Sequence, residues 1–140
     1  MESFPHHFDL AQKYNLPMYL HSRNTKGDFA KVVKLNREKF STGVVHSFDG
    51  SMEDLADILD MGLFIGINGC SLKTAENLEV VKAVPLSALM IETDCPFCEI
   101  KNSSPASKLI QTKFPRVDKK KYDPEGFSLV KDRNEPVMIV

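Results

Sequence analysis

No stretch of this 140-residue chain approaches the ~18 consecutive apolar residues of a membrane-crossing helix, so no helical membrane span is expected. The opening residues, MESFPHHFDL, lack a basic region followed by an apolar run, so no secretory signal is read there. Cysteine is scarce. Cys70, Cys95 and Cys98 are an odd set that does not make a disulfide framework and points to a reducing, intracellular compartment. An excess of one charge is missing as well, with 18 Lys and Arg against 19 Asp and Glu. That balance hides an asymmetry: residues 1–100 carry nine basic against fourteen acidic side chains, residues 101–133 nine against four. A basic distal segment favours a phosphate-bearing partner, although such a run is more often a solvated surface.

What is present reads as one ordinary globular domain over 1–140, with 42% hydrophobic and 26% charged residues. Phe4, Phe8 and Ala11 fall at helical spacing and predict a helix over 5–15, stopped by Pro17. The apolar run ending at His21 predicts a strand. Helical spacing returns over 27–38, 51–59 and 71–84, the second capped by Ser51 and the third started by Ser71. Between these lie apolar runs at 43–46, 62–67 and 88–92 that predict buried strands. Strand and helix therefore alternate with a step of about 25 residues, the pattern of parallel β-α-β units. Residues 1–100 form the regular units, and 101–140 read as a basic, irregular segment. Asn134-Glu135-Pro136 then looks like the start of a truncated terminal helix.

Three polar residues occupy equivalent points of this alternation. His21 closes the first strand, His46 the second, and Asp94 lies just past the fourth. Strand C-terminal ends of a parallel α/β structure gather on one face, where sites are built. Two imidazoles and a carboxylate there suit a divalent cation, which would acidify water and polarise a phosphoryl or carbonyl oxygen. Taken singly, a histidine after a strand is more often a hydrogen-bonded loop residue. His6 and His7 are read as surface residues of the first helix.

The segments LPMYLHSR (16–23), GVVHSFDG (43–50), FIGING (64–69), MIETDCP (90–96) and RNEP (133–136) resemble, in order and spacing, motifs of the TatD deoxyribonucleases. NGCSLKT (68–74) is most similar to their eukaryotic branch. The resemblance implies a (β/α)₈ TIM barrel, present here as a partial barrel lacking the first three βα units and most of the last helix. It implies hydrolysis of DNA phosphodiester bonds, often as a 3′ exonuclease. The cofactor would be a divalent metal, Mg or Zn, with two ions in a complete site. His21, His46 and Asp94 match the family's metal ligands, and Glu92 would stand behind one of them and orient it. The bland reading of Glu92 is a local hydrogen bond. Arg23 and Arg133 are candidate contacts to DNA phosphates, with an ordinary ion pair the alternative for each. Nuclear or cytosolic placement, nucleus favoured, is also implied.

Two family features have no counterpart: a His-x-His pair on a first strand and a bridging glutamate. A truncated, non-catalytic isoform or pseudoenzyme is therefore the main alternative, with little or no nuclease turnover expected. Self-association is expected through strand edges that barrel closure would have hidden. A metal hydrolase of small amide or ester substrates shares the same architecture. A different class is a thiol redox module built on Cys95-Pro-Phe-Cys98, although Asp94 beside it opposes thiolate formation. Zinc binding by Cys95 and Cys98 lacks a second ligand pair, and Cys70 reads as a small buried or loop residue.

Overall fold

The structure is a computed structural model that describes residues 3–25 and 27–139. Its regular part alternates helix and strand, and each element follows from its local sequence. Helix α1 (Phe4–Tyr14) carries proline in its first turn and buries Phe8 and Ala11, three residues apart. It closes at Asn15, which takes a left-handed φ of 51°. Pro17 bars continuation, and β1 (Met18–His21) begins. Helix α2 (Asp28–Leu35) buries Phe29 and Val33 at i, i+4 and leads to β2 (Gly43–His46). Helix α3 (Met52–Asp60) starts from a reciprocal cap in which Ser51 Oγ accepts from the Asp54 N–H and Asp54 accepts from the Ser51 N–H. Strand β3 (Phe64–Ile67), helix α4 (Ala75–Lys82) and strand β4 (Leu89–Ile91) complete the alternation.

The four strands form one parallel sheet in chain order. Register aligns Leu20 with Val45, Val45 with Ile65 and Ile65 with Leu89. Leu20, Val45 and Ile65 are sealed in the core with Phe8, Phe29, Val33, Phe40, Leu55 and Ile58. Successive side chains alternate across a sheet, so Tyr19, His21, Val44, His46, Phe64, Gly66 and Met90 share the other face. That face is more open: Tyr19 is 67% exposed and Met90 43%, against 1% for Leu20. No helix among the described residues is long and apolar enough to cross a membrane.

Two expected helices are corrected. The helix expected from Ser71 begins at Ala75, because Ser71 is already used. Its hydroxyl accepts from the Asn68 N–H while Asn68 Oδ1 accepts from the Cys70 N–H, closing a 3₁₀ turn over Gly69–Leu72. Thr74 then caps α4 by accepting from the Asn77 N–H. The start expected at Asn134 is a short 3₁₀ turn over Pro136–Ile139. The Asn134 side-chain amide instead donates to the Thr93 carbonyl at 2.7 Å, and its N–H to the Pro96 carbonyl at 3.0 Å. In the distal segment β5 (Arg116–Val117) pairs in parallel with β6 (Leu129–Val130).

Candidate metal centre

His21 and His46 end adjacent strands in direct register, with ring centroids 5.4 Å apart. Asp94 follows β4, two strands beyond β2 in the sheet, and its Oδ1 stands 3.6 Å from His46 Nε2. Asp94 adopts a φ of 53° and Ser47, just past β2, a φ of 51°. Left-handed backbone is uncommon for serine and costs on the order of 1 kcal/mol. Both residues that turn the chain at this mouth are thus held in sparsely populated conformations. Among the described residues, no three His, Cys, Asp or Glu side chains already stand as a metal-ligand group. His21, His46 and Asp94 share the mouth without converging on one point.

Glu92 organises the centre. Its side chain is 18% exposed and that of His46 14%. One carboxylate oxygen, Oε2, accepts from His46 Nδ1 at 2.7 Å and from the Tyr19 hydroxyl at 2.9 Å. The other, Oε1, accepts from the Ser47 N–H at 2.6 Å and lies 3.4 Å from the Asn68 amide nitrogen. A carboxylate at Nδ1 places the imidazole proton there, so the lone pair of neutral His46 is on Nε2. Nε2 faces Asp94 Oδ1 and is 3.1 Å from Ser47 Oγ, which itself accepts from Asn68 at 2.5 Å. Two lone-pair atoms facing each other across 3.6 Å are stabilised by a proton or cation between them. The Tyr19 pKa is pushed up to about 12, first by lost solvation and then by the neighbouring Glu92 and Asp94 carboxylates. Its ring is largely exposed, but the hydroxyl end is tucked between Glu92 and His46.

Gly66 makes this reach possible. It lies between His46 and Met90 in the sheet, and a Cβ on it would stand 2.9 Å from Glu92 Oε1 and 3.2 Å from His46 Cα. Only a residue without a side chain lets the Glu92 carboxylate cross β3. Gly69 does similar service one turn later, where a Cβ would overlap the Cys98 carbonyl. That close backbone approach brings Cys70 and Cys98 into a disulfide, with Cα atoms 5.0 Å apart, and leaves Cys95 free and exposed. The Cys95–Cys98 thiol pair is therefore corrected: Cys98 is bonded to Cys70, which is not an idle small residue. The Cys98 sulfur also lies 3.3 Å from Asp94 Oδ2.

The remaining candidates lie apart from this network. Arg23 is exposed just past β1. The Arg133 guanidinium pairs with Glu135 at 2.9 Å, the ordinary reading weighed for it. His6 and His7 are exposed on α1. Sequence reasoning missed Tyr19, Ser47, Gly66 and Asn68. Each sits within two residues of a strand end, and a two-residue alternation counted back from His21 and His46 would have put Tyr19 and Val44 on the site face.

The family profile described as TatD related DNase matches residues 1–128. The chain belongs to that family. It is 42% identical over 134 residues to a Schizosaccharomyces pombe protein named deoxyribonuclease Tat-D, covering 95% of this chain and 43% of that one. It is 32% identical over 98 residues to Escherichia coli YcfH, an uncharacterized metal-dependent hydrolase, covering 69% of this chain and 37% of YcfH. A crystal structure of a TatD family hydrolase from Entamoeba histolytica superposes with a TM-score of 0.89 at 38% identity, over 99% of this chain and 46% of that one. The chain thus spans less than half the length of these TatD relatives. Its relatives are thus named as a deoxyribonuclease and as a metal-dependent hydrolase.

Proposed function

We propose that these 140 residues form part of a TatD-type metal-dependent deoxyribonuclease, contributing His21, His46 and Asp94 as ligands to a divalent cation. The observation that carries this reading is His46. Glu92 stands at Nδ1, where a carboxylate holds the imidazole proton, and Nε2, 3.1 Å from the Ser47 hydroxyl, is turned toward the Asp94 carboxylate at the strand ends. The donor set, imidazole nitrogen with carboxylate oxygen, suits a borderline or hard ion such as zinc or magnesium. When bound, the cation supplies Lewis acidity, polarising a phosphoryl oxygen and acidifying water. The chain's own residues do the positioning: Glu92 fixes the imidazole, and Ser47 and Asn68 hold the far oxygen of Glu92.

The four parallel units are read as a segment of a (β/α)₈ barrel, whose strand ends face the substrate. DNA is the proposed substrate. Lys101, Lys113, Arg116 and Lys131 line a cleft of about 770 Å³ in the distal segment against Glu99 and Asp132, a net positive charge suited to a phosphodiester backbone. Arg23 is the better phosphate contact of the two arginines, since Arg133 would have to leave Glu135. The His-x-His pair and bridging glutamate implied by the resemblance are not among these residues, so turnover by them alone is expected to be very low or absent.

Calorimetric titration with Zn²⁺ tests the ligand assignment, run beside degradation of labelled single-stranded DNA. One zinc site is expected, lost in His46→Ala, with little or no DNA cleavage by either protein. Absence of zinc binding in the unsubstituted chain, or binding that His46→Ala leaves unchanged, would overturn the reading. Rapid cleavage lost in His46→Ala would keep the metal site and overturn the expectation of low turnover.

A further inference from the structure

Strands β1 and β4 are the two edges of the sheet, three inter-strand spacings apart, or roughly 14 Å. A single hydroxyl nevertheless joins them. Tyr19 reaches from β1 and Glu92 from just past β4, and they meet above the side-chain-free Gly66 and beside His46. The Tyr19 hydroxyl is 2.9 Å from Glu92 Oε2 and 2.7 Å from His46 Nδ1, and its ring lies 4.9 Å from the imidazole, tilted by 31°. In register Tyr19 opposes Val44, so its hydroxyl reaches diagonally forward to His46.

We propose that Tyr19 is a positioning residue, holding the Glu92 carboxylate against His46 Nδ1 so that His46 presents Nε2 as the ligand nitrogen. The inference rests on the metal-site reading above and adds a residue to it. A structural role explains Tyr19 poorly. Tyr19 is two-thirds exposed as a residue, and β1 is already held to β2 by main-chain pairing over all four of its residues. What the hydroxyl adds is a donor for Glu92. Without that donor, Oε2 keeps only His46, and the carboxylate can rotate toward Ser47 and Asn68, which hold its other oxygen. The imidazole would then lose the partner that selects its tautomer.

Tyr19→Phe keeps the exposed ring and removes only the hydroxyl. Two measurements read it: the His46 tautomer in metal-free protein, by long-range ¹⁵N imidazole spectra, and zinc affinity by calorimetry. The expected result is a shift of His46 from Nδ1–H toward mixed tautomers and a loss of zinc affinity of about tenfold. In a Glu92→Ala background the same substitution is expected to change affinity by less than about twofold, because Tyr19 acts through Glu92. An unchanged tautomer and affinity in Tyr19→Phe would overturn the proposal, as would equal losses in both backgrounds. If the unsubstituted chain binds no zinc, the metal reading fails by itself, while the tautomer spectra still decide the role of Tyr19.

Discussion

At the scale of single residues, the centre depends on one missing side chain and one misplaced-looking hydroxyl. Gly66→Ala would drive a methyl group to within 2.9 Å of the Glu92 carboxylate, with the His46 backbone close behind it. Destabilisation of about 1–3 kcal/mol is expected from such overpacking, with loss of zinc binding. Urea midpoints and calorimetry on the variant check both. Tyr19 gives a second observable. Its pKa, raised to about 12 from an ordinary 10, means the folded state holds the phenolic proton more tightly than the unfolded chain does. The associated stability is therefore fully present below about pH 10 and is lost as pH rises through about 12. Absorbance at 295 nm should show a tyrosinate transition near pH 12 that disappears in Tyr19→Phe. If Tyr19→Phe leaves the alkaline titration unchanged, the hydroxyl is not in this environment. The placement of His21, His46, Glu92 and Asp94 at or just past strand ends was legible because each closes or follows an apolar run. Gly66 and Asn68 were not, since their roles come from a carboxylate crossing a neighbouring strand, and that depends on register.

At the scale of elements, helix and strand order was readable from periodicity, and the departures have local causes. Ser51 and Asp54 gave a visible cap, and Ser51→Ala is expected to lower stability by about 1 kcal/mol by removing the hydroxyl that accepts from the Asp54 N–H while leaving the Ser51 N–H bonded to the Asp54 carboxylate, read from a shift in urea midpoint. Ser71 looked like an equivalent start. It fails as one because Asn68, three residues earlier, closes a turn with it first. The cysteines misled for a related reason. Spacing along the chain offered Cys95 with Cys98 only as a weak alternative and left Cys70 as a small buried or loop residue, whereas Gly69 brings the β3 and β4 loops so close that Cys70 and Cys98 are partners. Non-reducing peptide mapping should recover the Cys70 and Cys98 peptides joined and Cys95 alkylated. A Cys95–Cys98 linkage would contradict the packing of the two loops.

At the scale of the whole molecule, the sheet has two free strand edges among the described residues and an open face bearing Tyr19 and Met90. Unpaired edges of this kind promote pairing between chains. Sedimentation velocity across a concentration series is expected to show self-association, and a monomer at all concentrations would contradict it. The parallel order of the strands followed from their alternation with helices, whereas the partial barrel was an expectation carried by the family resemblance rather than by the four units. What unites the three scales is the claim that these strand ends present one cation site. Anomalous scattering at the zinc edge, from crystals grown with Zn²⁺, tests that claim most directly. The expected result is a peak within ligand distance of His46 Nε2 and Asp94, with His21 turned onto it. A peak elsewhere, or density showing His46 bound through Nδ1 with Glu92 displaced, would contradict the account.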